Sequence, residues 1–166
     1  MTETTPIAPR PSRFFEDLVI GERRKSSPRR IDEAEILDFA RRYDPQWFHN
    51  DAEAAKASIF GGLVASGIHT AALWRQMDHE INGDIAFACG VGWDETRWKR
   101  GLRPGDIIHA ESEILDKRVS QSSGDRGVSR FACSVRLESG VVVLSFISIN
   151  LVYTRQSDAA QALARG

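Results

Sequence analysis

The residues of this chain best suited to chemistry are a carboxylate and an imidazole five positions apart, Asp44 and His49. Helix geometry does not put residues at that spacing on one face. A short connector held at both ends can still turn both side chains toward one point, where they form an acid–base pair usable near neutral pH. Both residues also suit plain structural duty, because Asp before Pro45 forms turns and His after Trp47 and Phe48 packs among rings. A second candidate is the stretch Phe60–Ala65, with Gly61 and Gly62, leading into Ser66 and Gly67. A helix starting there would offer unpaired N–H groups and a partial positive charge to an oxygen gaining negative charge. The plain alternative is a bend at the glycines and a cap at Ser66.

Other chemistries find less support. Val64 and Ile68 stand where the glycines of a G-x-S-x-G nucleophile frame would be, so Ser66 is not that kind of serine. The sequence contains neither a Walker loop nor G-x-G-x-x-G. His69 and His79 are too far apart on one helix to share a metal, and Cys89 and Cys133 lack C-x-x-C partners, so neither a metal nor a cofactor is expected. Arg97, Lys99, Arg100 and Arg103 cluster beside Pro104, either to hold ligand phosphates or as a solvated face. The 22 basic and 23 acidic side chains nearly cancel, which leaves no electrostatic footprint for nucleic acid. Met1–Ser12 has no apolar run of the ~7–15 residues a signal peptide uses. Val141–Ile149 falls far short of the ~20 residues that cross a bilayer. A soluble, cytoplasmic protein is expected, with no membrane partner.

The elements that must position the candidates can be read from periodicity. Pro6, Pro9 and Pro11 mark residues 1–13 as an arm, 14–154 as one ordered body and 155–166 as a tail that is a frayed helix or nothing. Asp32 with Glu35 reads as a capping box, after which Ile36, Phe39, Ala40 and Tyr43 make one apolar stripe. Pro45 should stop this helix at Asp44. A second short helix is expected over Asp51–Ala57, starting at Asn50 with Glu53 three on, which leaves Asp44–His49 as a non-helical loop. Ser66 should cap a long helix through Met77 that ends at Asn82-Gly83. Strands are expected over Glu22–Arg29, Gly92–Trp98, Ile107–Val119, the alternating Phe131–Leu137, and Val141–Tyr153, which is apolar on both faces. About five antiparallel strands with helices bunched elsewhere make an α+β domain.

The run Tyr43-Asp44-Pro45-Gln46-Trp47-Phe48-His49-Asn50-Asp51, followed by Phe60–Gly67, resembles the hydratase motif of the MaoC-like dehydratases, the family of the (R)-specific enoyl-CoA hydratases. The resemblance continues through Trp93–Trp98, Arg103–Asp106 and the closing hairpin. It implies a hot-dog fold, a curved antiparallel sheet wrapped around a long central helix. It also implies an acyl-CoA thioester substrate and a homodimer or dimer of dimers joined at sheet edges. By position, Asp44 and His49 become the catalytic pair, and Gln46, Gly62, Ser66 and Gly67 the substrate-binding residues. Gln46 stands where Asn is usual, Trp47 where Pro is usual, Tyr43 replaces a small residue, and Ser66 a His of many relatives. These departures surround the pocket and bear on the substrate. The implied reaction interconverts trans-2-enoyl-CoA and (R)-3-hydroxyacyl-CoA. A thioesterase on the same fold and a non-catalytic acyl-CoA or acyl-carrier binding protein are the competing classes.

Overall fold

The structure, a computed structural model, describes residues 10–121 and 123–165. The chain begins with a single 3₁₀ turn at Phe15–Asp17. Six strands follow in order as β1 (Arg23–Lys25), β2 (Arg29–Arg30), β3 (Phe87–Trp98), β4 (Ile107–Val119), β5 (Arg126–Leu137) and β6 (Val142–Tyr153). The helices are α1 (Glu33–Tyr43), a single turn α2 (Trp47–Asn50), the long α3 (Gly67–Asn82) and α4 (Asp158–Arg165). One antiparallel sheet runs β1-β4-β5-β6-β3, with β2 also on β4. Its inner face packs on α3, the expected hot-dog arrangement.

Alternation places the core. In β5, Phe131, Cys133 and Val135 are buried while their neighbours are half-exposed, as period two requires. Leu73, Trp74 and Met77 of α3 meet Phe131, Leu144, Phe146 and Ile108 of the sheet. Strand β6, apolar on both faces, lies between β5 and β3 and is covered on both edges. The far end of α3 is tied down by polar groups. Asn82 donates to Asp78 (2.8 Å) and to Ser112 of β4 (3.0 Å). From β1, Arg24 reaches the Ile81 carbonyl and, at 2.7 Å, Asp84.

Several sequence expectations change. The strand expected over Glu22–Arg29 is split into β1 and β2, because Pro28 has no N–H for the ladder and Ser26 Oγ takes the Ala110 N–H instead. Strand β3 begins five residues early, at Phe87. The Asp32–Glu35 capping box does not form. Asp32 is the N-cap but makes no side-chain bond, and Glu35 turns to Arg29 (2.7 Å) and His69 (3.4 Å). The second helix is replaced by α2 and a 3₁₀ turn at Ala54–Ala57, with Asp51 accepting from the Glu53 and Ala54 N–H groups. Residues 1–9 of the expected arm lie outside the described residues. Arg13 belongs to the body, since it bridges Ile85 and pairs with Glu22. In the tail, Ser157 Oγ accepts the Ala160 N–H and caps α4, which buries Ala160. Among the described residues, no helix is long and apolar enough to cross a membrane.

Glu22 joins the chain's start to this frame. Guanidinium hydrogen bonds from Arg13 and then Arg24 hold its carboxyl below the usual carboxylate range, against the upward push of burial. A lowered folded pKa stabilises above the unfolded value and is lost as pH falls through the folded one. Glu22→Gln should therefore lower the melting temperature near neutral pH and weaken the loss of stability on acidification. Thermal melts of both proteins between about pH 3 and about pH 7 check this; parallel curves would refute it.

Candidate active site

Pro45 does stop α1, and Asp44 becomes its C-cap, with its N–H on the Ala40 carbonyl at 3.0 Å. The chain then turns into α2, so the connector is not the non-helical loop expected. His49 lies on this turn, with its N–H on the Gln46 carbonyl (2.9 Å). That extra helical turn swings the imidazole back toward Asp44. His49 Nε2 lies 3.8 Å from Asp44 Oδ2. The imidazole is 8% exposed, packed edge-on against Phe48.

His49 Nδ1 is 2.7 Å from the Val64 carbonyl oxygen. A carbonyl only accepts, so Nδ1 carries a hydrogen, and of the two neutral tautomers the contact selects the one whose bare Nε2 faces Asp44. Val64 is placed by its own segment. Gly61 adopts φ +65°, a left-handed conformation that favours glycine. The Val64 N–H then reaches the Phe48 carbonyl (3.4 Å) and the Ala65 N–H the Leu102 carbonyl (2.7 Å). The glycine-bearing stretch is thus what fixes the histidine's tautomer.

Ser66 is buried and does two things at once. Its Oγ accepts the Ile68 N–H at 3.2 Å as the N-cap of α3, and donates to Asp44 Oδ2 at 2.6 Å. Its single hydroxyl hydrogen is therefore spent on Asp44, whose carboxylate it positions. The carboxylate held in this way sits at the N-terminal end of α3. The Gly67 N–H opens the helix without an intrahelical acceptor. Trp98 Nε1 donates to the Gly67 carbonyl at 2.9 Å, and a Cβ on Gly67 would stand 2.9 Å from that nitrogen, so glycine is needed for the close approach.

A cleft of about 320 Å³ opens here, lined by His49, Gly67, Thr70 and Trp98, with Lys99 and Arg100 among its walls. The other two expected residues stay apart from the pair. Gln46 is exposed and its side chain bonds neither Asp44 nor His49, because it caps α2 through backbone alone. Gly62 packs beside the Arg103 guanidinium. Of the basic cluster, Arg100 forms a forked pair with Asp106 (2.7 and 3.3 Å), Arg103 braces the Phe60 carbonyl and Arg97 donates to the Thr96 carbonyl. Lys99 has no carboxylate partner among the described residues. The Val64 carbonyl, Thr70 and Trp98 were missed from sequence; a backbone acceptor carries no residue signal, and Trp98 reads as an ordinary strand aromatic. Among the described residues, no group of three or more His, Cys, Asp or Glu side chains could hold a metal ion.

A profile of the MaoC like domain matches residues 16–130. The uncharacterized protein YdeM of Bacillus subtilis is 31% identical over 112 residues, 65% of this chain and 77% of that protein. The 3-hydroxyacyl-thioester dehydratase Z of Mycobacterium tuberculosis is 31% identical over 75 residues, 43% of this chain and 49% of that protein, about half its length. The crystal structure of the MaoC-like dehydratase from Rhodospirillum rubrum superposes with a TM-score of 0.80 at 37% identity, over 87% of this chain and 99% of that one.

Replacing Ser66 by Ala removes both the cap and the hold on Asp44. Loss of an N-cap costs about 0.5–2 kcal/mol, so urea denaturation should show Ser66→Ala destabilised within that range. Ser66→Thr, which keeps the hydroxyl, should recover most of the loss. Equal stability of the Ala variant and the parent would contradict the double role.

Proposed function

The chain belongs to the MaoC-like dehydratase family, and from that membership we propose that it interconverts trans-2-enoyl-CoA and (R)-3-hydroxyacyl-CoA by adding or removing water. The observation that carries this reading is the pairing of a bare His49 Nε2 with Asp44 Oδ2 at 3.8 Å. Two acceptors at that separation can each take one hydrogen of a single water molecule at ordinary hydrogen-bond length. The water's oxygen is then free to attack C3 of an enoyl thioester in the cleft. In that step the C3–O bond forms, the Asp44–His49 pair takes one proton from the water, and the pair gives a proton to C2 as the double bond is lost. Charge that gathers on the thioester oxygen meets the Gly67 N–H and the positive end of α3. Ser66 keeps the carboxylate turned toward the imidazole.

Lys99, at the cleft wall and without a carboxylate partner among the described residues, offers a charge to the phosphates of CoA. The named activities of the M. tuberculosis relative, a 3-hydroxyacyl-thioester dehydratase, and of the R. rubrum structure, a MaoC-like dehydratase, support the same chemistry.

Asp44→Asn and His49→Ala should each lower hydration of a short enoyl-CoA by about 10²–10⁴-fold, followed as the fall in absorbance of the conjugated thioester. Near-parental turnover in either variant would refute the assignment. Release of free thiol without loss of that absorbance would make the protein a thioesterase instead. Saturable binding with neither change would make it a binding subunit.

Assembly follows from β3, a twelve-residue strand at the open edge of the sheet, with Val91 56% and Trp98 51% exposed. Unpaired edge groups of that length invite a second copy, and the proposed enzyme is a homodimer joined edge to edge or a pair of such dimers. Light scattering should give two or four chain masses; a monomer at micromolar concentration would refute this.

A further inference from the structure

Gly67 opens α3 with a peptide plane on each side of it, and both planes are held by side chains. The first plane carries the Ser66 carbonyl and the Gly67 N–H. That carbonyl accepts the Thr70 N–H at 2.9 Å and the Thr70 hydroxyl at 3.2 Å. The second plane carries the Gly67 carbonyl and the Ile68 N–H. Here Trp98 Nε1 donates to the carbonyl at 2.9 Å, while the Ile68 N–H goes to Ser66 Oγ at 3.2 Å. Such holds matter at a glycine, which has more backbone freedom to lose than any other residue. Glycine is required here all the same, because a Cβ would stand 2.9 Å from Trp98 Nε1 and 3.1 Å from Cε2.

We propose that Thr70 and Trp98 are positioning residues for the reaction, which aim the Gly67 N–H at the thioester oxygen. This rests on the function proposed above and adds two residues to that site. In a trans peptide the C=O and the N–H point in opposite directions. Drawing the Ser66 carbonyl along the helix toward Thr70 therefore turns the Gly67 N–H out of the helix start. Gly67, Thr70 and Trp98 all line the cleft that His49 lines. Two donors on one carbonyl also polarise the peptide, which strengthens its N–H as a donor. A threonine on a helix commonly bonds the carbonyl four residues back. What matters at Thr70, 2% exposed, is that this carbonyl shares a peptide with the Gly67 N–H. Trp98 comes from β3, so its bond ties the start of the helix to the edge strand of the sheet.

Butyryl-CoA, isotopically labelled at its thioester carbonyl, tests the aim apart from the reaction, because the saturated chain is not hydrated. On the parent protein its carbonyl band in difference infrared spectra should move to lower wavenumber than in the free ligand. Thr70→Val keeps the side-chain shape without the hydroxyl, and Trp98→Phe keeps a ring without the N–H. Each should reverse part of that movement. With crotonyl-CoA each should lower kcat about tenfold, a part of the ~10²–10³ that loss of a whole donor costs. KM should stay unchanged, since the charge gathers in the transition state. Thr70→Ser, which keeps the hydroxyl, should restore both readings. A parental band and parental kcat in folded Thr70→Val and Trp98→Phe would overturn the proposal. So would equal losses in Thr70→Val and Thr70→Ser, which would make the residue a packing element. A parent that leaves the carbonyl band unmoved, or binds no butyryl-CoA, would overturn it together with the role of the Gly67 N–H. The expected band movements without hydration by the parent would overturn the proposed reaction and leave the two holds standing.

Discussion

The site depends on one hydroxyl group. Ser66 caps the start of α3 and grips Asp44, the C-cap of α1, with the same oxygen, so the start of one helix and the finish of another are fixed relative to each other. Without that joint, Asp44 would be a half-exposed acid on a helix end, free to turn to solvent. With it, the carboxylate has one lone-pair direction taken by Ser66 and the rest turned inward toward the imidazole. The Val64 carbonyl acts on the histidine in the same way, fixing one nitrogen so that the other is defined. Each member of the proposed pair is therefore set by a neighbour outside the pair.

Those two holds come from a single stretch of chain. Residues 60–66 carry the left-handed glycine, the acceptor for His49 and the cap that grips Asp44, and they are pinned on both sides by Phe48 and Leu102. The connector bearing Asp44 and His49 and the segment that orients them are stitched together through backbone as well as side chains. Local strain or softness in this stretch would reach both members of the pair together.

Much of the fold was legible because local signals and packing agreed. Pro45 stopped α1 where its geometry forbids continuation, Ser66 began α3, and alternation in Phe131–Leu137 assigned the inner face of β5. Local signals failed where a distant partner outbid a near one. Glu35 left its capping position for Arg29 and His69, neither of which spacing can place beside it. The strand over Glu22–Arg29 broke because a serine hydroxyl from inside it took over a ladder bond. The residues of the pair were legible, but their orientation was not. It depends on a carbonyl fifteen positions away and on a helical turn at Trp47–Asn50 whose formation follows from tertiary contact. Gln46 was singled out by its position in a motif, and as the N-cap of α2 it is exposed, a placement that motif position does not convey.

The outer strand of the sheet has a property of its own. Pairing of β3 with β6 shifts register between Phe87 and Cys89, between Gly90 and Gly92, and between Asp94 and Arg97, where Glu95 takes φ +54°. Such bulges twist a strand and interrupt the regular spacing that a fibril would copy. An edge built this way can accept a single matched neighbour while resisting the runaway stacking that leads to aggregates, a safeguard written into the backbone rather than the surface charge.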